Sequence, residues 1–176
     1  MPADPQVVNI LDEGFDVGIR FGHRIQDGMV ARPLTSPMKE ALFASEDYLA
    51  KYGLPKTLSD VSEHKFIQYR FIGSNQIAPL LLNDNGQQHT VRGKTALIVN
   101  DTDAMIDAAI KGLGIGRIVT PMIENQFTEG QLSPLLERYW DEYPGLYIYF
   151  MQNSQKARRV RVLIDFLLDS TTHFRA

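Results

Sequence analysis

The stretch KTALIVNDTDAMIDAAIKGLGIGRIVTP, residues 94–121, governs the reading of everything around it. Its opening, 95–99, is a short apolar run rich in β-branched residues, the pattern of a buried strand. Asn100 and Asp101 end that run, and Asp101 or Thr102 can cap the helix that follows. Met105, Ala108 and Ala109 then recur on one helical face, with Ile106 and Ile110 widening the apolar stripe. Gly112 supplies the stop, because it can take the left-handed backbone that closes a helix, and 115–119 reads as a second strand. Strand, helix and strand with tight connections predict a right-handed βαβ unit in a parallel sheet covered by helices. Ligands of such sheets bind at the carboxyl ends of the strands, which singles out Asn100, Asp101 and Thr102, and separately Thr120 and Pro121. Asp101 and Thr102 are equally the residue types that serve only as caps, and residue type alone leaves both roles open.

Gly112, Gly114 and Gly116 do not make a dinucleotide site. A phosphate-binding glycine loop follows a strand and opens a helix, whereas this one closes a helix and opens a strand, with GxGxG spacing instead of GxGxxG.

The totals bound the rest. A chain of 176 residues suits one large domain or two small lobes with a real core. Its net charge of −3 argues against a non-specific nucleic-acid surface. The absence of cysteine removes disulfides, thiol catalysis and cysteine metal sites, and fits a reducing compartment, so a cytoplasmic location is expected. MPADP at 1–5 lacks the basic and apolar parts of a signal peptide, and no apolar run approaches the ~20 residues of a membrane span.

Taken in order, Asp4 and Pro5 look like a cap and first-turn proline for a short helix through Val7, Val8, Ile10 and Leu11, stopped at Gly14. Residues 15–20 are a strand, and 21–28 a polar loop just past its end. Opening on a helix is odd for a parallel sheet, so an upstream piece is expected. Extended runs follow at 29–34 and 39–44. Then comes a helix from Ser45 with Glu46 and Asp47 in its first turn, ending at Gly53 and Pro55. Thr57 with Asp60 is a capping box for another. After a strand at 66–69, Asn85-Gly86 turns a hairpin between 77–82 and 87–92. Thr120 and Pro121 start a helix running to about Glu129, Gly130 stops it, and 132–136 is extended. An unbroken apolar strand at 146–151 precedes a last helix. There Val160, Leu163, Ile164, Leu167 and Leu168 form a wide stripe with Phe166 at its margin. Lys156, Arg158, Arg159 and Arg161 in its early turns read as a solvated basic face.

Five segments in this order resemble one family: EGFDVGIRFG at 13–22, ALFASEDYLAKYGLPKTLSDVSEH at 41–64, Asn100-Asp101 with AAIKGLGIGRIVTP ending at 121, EGQLSPLL at 129–136, and LYIYF followed by RRVRVLIDFLL. Together they resemble the effector-binding (substrate-binding) domain of LysR-type bacterial transcriptional regulators. The resemblance implies an α/β, type II periplasmic-binding-protein-like fold of two lobes joined by two crossover strands. The second lobe would be 37–147, and the first would be assembled from 1–36 and 148–176. A small organic effector would sit in the cleft between them, and lobe closure would be passed to a DNA-binding winged helix.

The chain departs from the family pattern in lacking that winged helix, its linker helix and the strand, helix and strand that normally precede DVGIR. The first lobe is therefore expected to be incomplete, with 15–19 on an unprotected edge that templates pairing with another chain, so a homo-oligomer, first of all a dimer, is predicted. DNA would be contacted only through the absent N-terminal domain, and no membrane is involved. By position in the family pattern, the effector-binding residues would be Arg20, Phe21 and Gly22 from the first lobe, Tyr69, Asp101, Thr102 and Ile118 from the second, and Phe150 near the crossover. Tyr69 and Phe150 equally suit core aromatics, and Arg20 equally suits a surface pair with Asp16 or Asp27. Asp101 and Asp103 already place negative charge at the central helix. The expected effector therefore offers a donor or amine to Asp101, or is an anion held mainly by Arg20.

No catalytic constellation is present. His23, His64, His89 and His173 have no HxxxH or HExxH spacing, and there is no GxSxG elbow, so neither an enzyme nor a cofactor or metal site is expected. The competing class is a solute-binding protein of a transport system, which shares the fold.

Overall fold

The structure, a computed structural model, describes residues 14–22 and 28–172. The helix expected to end at Gly14 and most of the 21–28 loop, Asp27 included, lie outside them. In chain order the elements are β1 Val17–Phe21, β2 Met29–Pro33, β3 Met38–Ala44, α1 Glu46–Tyr52, α2 Leu58–Ser62, β4 Lys65–Tyr69, β5 Leu80–Asp84, β6 Gln87–Val91, β7 Lys94–Val99, α3 Thr102–Ile110, β8 Gly116–Val119, α4 Glu124–Thr128, β9 Ser133–Leu135, β10 Glu142–Tyr143, β11 Leu146–Met151 and α5 Arg158–Ser170. The described chain divides into two compact units. One is the continuous segment Lys39–Tyr143, and the other is assembled from 14–22, 28–38 and 144–172.

In the Lys39–Tyr143 unit the punctuation acts as its residue types require. Ser45 caps α1 by accepting from the Tyr48 N–H, and Gly53 closes it at φ 86. Thr57 and Asp60 form a full capping box on α2. Asn85 and Gly86, at φ 52 and 88, make the two-residue turn between β5 and β6, the left-handed pair that such a turn demands. Asp101 caps α3, and Gly112 ends the segment at φ 72.

The strands at the two ends of α3 do not pair with each other. β4 lies between them: β7 runs parallel along β4 from Lys65↔Lys94 to Tyr69↔Val99, and Ile115 bridges Phe66 in parallel on the other side. The sheet is also not wholly parallel, because β3 runs antiparallel to both β8 and β9. From Glu40 to Ala44 every residue of β3 is buried, which is why ALFA reads as an unbroken apolar run. Leu42, Tyr48, Leu82, Ile115 and Leu135 centre the core.

The helix expected from Thr120 to about Glu129 is broken in two. Thr120–Met122 forms a single 3-10 turn, and fully buried Ile123 takes φ −127 before α4 begins. Burying that side chain outweighs helix continuity. Trp140 is fixed by donating from Nε1 to the Leu135 carbonyl at 2.8 Å and stacking on Phe127.

His64 is buried against Tyr48. The Tyr48 hydroxyl accepts from the Lys65 N–H at 3.0 Å and lies 3.2 Å from His64 Nδ1, so it can donate to a neutral ring. Burial pulls the His64 pKa below its ordinary 6.5, while the Asp60 carboxylate pulls it up. The unfolded chain then binds a proton that the folded chain resists. This contribution to stability is whole above pH 6.5 and is lost as pH falls below it. Urea midpoints followed from about pH 7.5 to about pH 5.5 should fall in the native chain and fall less in His64→Gln.

Among the described residues the second unit is a three-stranded antiparallel sheet, β1-β11-β2, with α5 packed on it. β11 is apolar along its whole length, but it alternates in burial: Ile148 and Phe150 face the core with Leu34, Val160 and Ile164. The stripe of α5 is narrower than expected. Val160 and Ile164 are buried, whereas Leu163 is 42% exposed and Phe166 64%. The basic residues are a solvated face as expected, with Arg159 on Asp16 at 3.3 Å and Arg161 facing Asp165 at 4.0 Å, both exposed pairs of small energetic weight. The chain passes between the units at 38–39 and 143–144. Beside the second passage Gly145 is indispensable, since a Cβ there would stand 2.3 Å from the Thr35 carbonyl oxygen.

Candidate functional site

The Lys39–Tyr143 unit contains a cavity of about 450 Å³. β4 contributes Gln68 and Tyr69, the latter edge-on to Phe71 with ring centroids 5.7 Å apart. The β5–β6 hairpin supplies Leu80 and Thr90, α3 supplies Thr102 and Met105, and β8 supplies Arg117 and Ile118. Three of the residues expected from the sequence, Tyr69, Thr102 and Ile118, therefore line one hollow. They meet because β4 is sandwiched between the strands flanking α3, which brings the start of that helix over its neighbours.

Asp101 is not part of the cavity wall. It is exposed, and its Oδ1 accepts from the Ala104 N–H at 2.9 Å, which is the capping role. Asp101→Ala is expected to lower the stability of this unit by about 1 kcal/mol, and Asp101→Asn by only a few tenths, as measured by urea unfolding.

Sequence reasoning missed Arg117, which lines the cavity and is among the most buried charges of the unit. Its Nη1 lies 3.2 Å from Glu40 Oε2, with side-chain exposures of 10% and 3%. The contact is an ion pair and not a hydrogen bond, because Nη1 has no acceptor in hydrogen-bonding geometry. Burial pulls the Arg117 pKa down, against the attraction of Glu40, Tyr143 and Asp141. Burial, reinforced by the Glu40 charge, pushes the Tyr143 phenol up to about 12 in spite of Arg117. The Asp141 carboxylate is held below the usual range. Burial opposes this, but donors from Gln88, Asn83 and the Glu142 N–H outweigh it. A single basic residue inside the apolar strand GIGRIV was the available signal, because a charge there must find a buried partner.

In the second unit Arg20, Phe21 and Gly22 stand at the end of β1. The Arg20 guanidinium lies over the Tyr149 ring at 4.7 Å, and Asp16 pairs with Arg159 instead of Arg20. Gly22 has φ 79 and donates its N–H to the Gly145 carbonyl at 3.1 Å. Phe150 is 1% exposed and packs in the core of the second unit, the core-aromatic role that residue type had left open for it beside a ligand contact. Among the described residues no three His, Asp or Glu side chains are grouped to hold a metal, and no helix is long and apolar enough to cross a membrane.

What this arrangement can do is hold a small organic molecule by apolar walls and a few polar groups. The model of the LysR substrate-binding domain matches residues 3–172. The chain belongs to the LysR substrate-binding domain family. It is 27% identical over 171 residues to the HTH-type transcriptional regulator YcaN of Escherichia coli K12, covering 95% of this chain and 54% of that protein. It spans about half the length of the curated relatives it matches. Among solved structures it is similar to the regulatory domain of CrgA from Neisseria meningitidis, with TM-score 0.77 and 22% identity over 93% of this chain and 79% of that one. It is also similar to full-length AphB of Vibrio cholerae, with TM-score 0.79 and 19% identity over 96% of this chain and 56% of that one. These likenesses show the fold of LysR regulatory domains, which is type II periplasmic-binding-protein-like. This LysR domain has transcriptional regulators as its relatives, in place of the transport proteins that were the competing class.

Proposed function

We propose that the domain senses a small organic effector. Its lobes would be 37–147 and the pieces 1–36 and 148–176. In this reading the effector contacts Tyr69, Thr102 and Ile118 of the second lobe, with Asp101 at the rim, and Arg20, Phe21 and Gly22 of the first. The observation that carries it is the convergence of Tyr69, Thr102 and Ile118 on one cavity in a chain of this family. The relatives are called HTH-type regulators, so the effector's influence is taken to reach a helix-turn-helix segment that contacts DNA, in a cytoplasmic homo-oligomer. Support for oligomerisation is that, among the described residues, β1 pairs only with β11 and carries Ile19 half exposed. The domain is given no catalytic role.

The test is a screen of small organic molecules by thermal shift on this chain, with each hit located by amide NMR. Hits should shift Tyr69, Thr102 and Ile118, and Thr102→Leu or Ile118→Trp should abolish them. Hits that leave those resonances in place would refute the site.

A further inference from the structure

Among the described residues one side of β1 has no partner strand, its ladder with β11 occupying the other. That edge, VGIRF, has no lysine or proline, and its five-residue register with β11 has no bulge, so the usual protections of an edge strand are missing. Ile19 is opposite Ile148, which is buried beneath α5, so Ile19 lies on the helix side of the sheet, where it is 50% exposed. Arg20, the strand's one charge, lies on the other face, folded back over the Tyr149 ring. The helix continues the apolar surface. Arg159 reaches Asp16 at 3.3 Å, which marks the side of α5 that overhangs β1, and Leu163 and Phe166 follow on that side about one and two turns later. From Arg159 to Leu163 the helix advances about 6 Å, or about two residues of strand, which sets Leu163 level with the middle of β1. Leu163 and Phe166 are 42% and 64% exposed, so an apolar strip runs beside an open strand edge.

We infer that a second copy of this chain docks on the strip, its β1 pairing antiparallel with β1 about a twofold axis at Ile19. The two three-stranded sheets become one of six strands, with both α5 helices on the same face and the Leu163 and Phe166 side chains of each copy in the seam between them. Such a contact is self-complementary. The axis sets Ile19 against its counterpart, apolar beside apolar, and carries the two Asp16–Arg159 pairs to opposite ends of the seam, so like charges do not meet. Three part-exposed side chains of this size offer roughly 300 Å² per copy, and the strand edge adds backbone hydrogen bonds, the scale of a dissociable dimer. β7 also has an open edge among the described residues, but it suits a second copy less well. Its exposed Leu97 and Ile98 are neighbours and so point to opposite faces, and Lys94 stands at its start. The contact rests on the proposed homo-oligomer and names the surface that joins its copies.

Sedimentation equilibrium of the chain from about 1 to about 200 µM should show a monomer in exchange with a dimer. Ile19→Lys and Phe166→Asp should each weaken the dimer at least about tenfold, whereas Leu97→Lys should leave it as it is. The chain has no cysteine, so Ile19→Cys supplies a second readout with little disturbance of the fold: oxidised glutathione should convert it to a disulfide-linked dimer, and should not do so with Leu97→Cys. A chain that stays monomeric throughout would overturn this contact and the homo-oligomer together. A dimer that survives both charge substitutions, that Leu97→Lys dissolves, or that Ile19→Cys fails to cross-link would overturn this contact and leave the homo-oligomer standing.

Discussion

Arg117→Met is expected to destabilise the Lys39–Tyr143 unit by about 3–5 kcal/mol. Most of that loss comes from what remains behind. Glu40 is 3% exposed on a fully buried stretch of β3, so removing its cation leaves a carboxylate with neither adequate water nor its countercharge. Tyr143 reports the same loss, since Arg117 is the influence that lowers its pKa, and removing it should push the phenol further up. The double variant Glu40→Leu/Arg117→Met should recover most of the loss, because two apolar side chains of similar volume need no mutual charge. Trp140 is the sole tryptophan and packs inside this unit against Phe127, so urea unfolding read by its fluorescence reports on the right core. A single variant within about 1 kcal/mol of the native chain would show that the pair is not buried in solution.

Phe150→Ala should destabilise the second unit by about 3–5 kcal/mol. The ring is fully buried among Leu34, Ile148, Val160 and Ile164, and it packs α5 onto β11, so truncation leaves a cavity that its neighbours fill poorly. Amide exchange at Ile148 and Tyr149 should quicken accordingly, whereas Phe150→Leu should show a fraction of the effect. The ligand-lining role that the family pattern assigned to this position makes the opposite forecast: altered ligand preference with stability intact.

These two residues show where the sequence was readable and where it was not. Position in a family pattern placed Phe150 near the crossover, but facing is set by the pleat of β11, and alternation is invisible in LYIYFM because every residue is apolar. Arg117 was passed over for the converse reason. Its neighbours said strand and core, and the partner that makes a buried cation tolerable, Glu40, lies far away in sequence and meets it only through the pairing of β3 with β8. The same limit explains the misjudged width of the α5 stripe: helical spacing shows which residues share a face, but only tertiary packing decides how much of that face is covered.

Local chemistry was settled by the amino acids alone. The caps at Ser45, Thr57 and Asp101, the left-handed stops at Gly53 and Gly112, the Asn85-Gly86 turn and the family-bearing segments depend on residues a few positions apart, whose backbone preferences act before any tertiary contact exists. The insertion of β4 between the strands flanking α3, the cavity this creates, and the burial of Glu40 with Arg117 were decided only by the folded chain. Strand order and desolvation are properties of segments distant in sequence, and no local preference encodes which of them become neighbours.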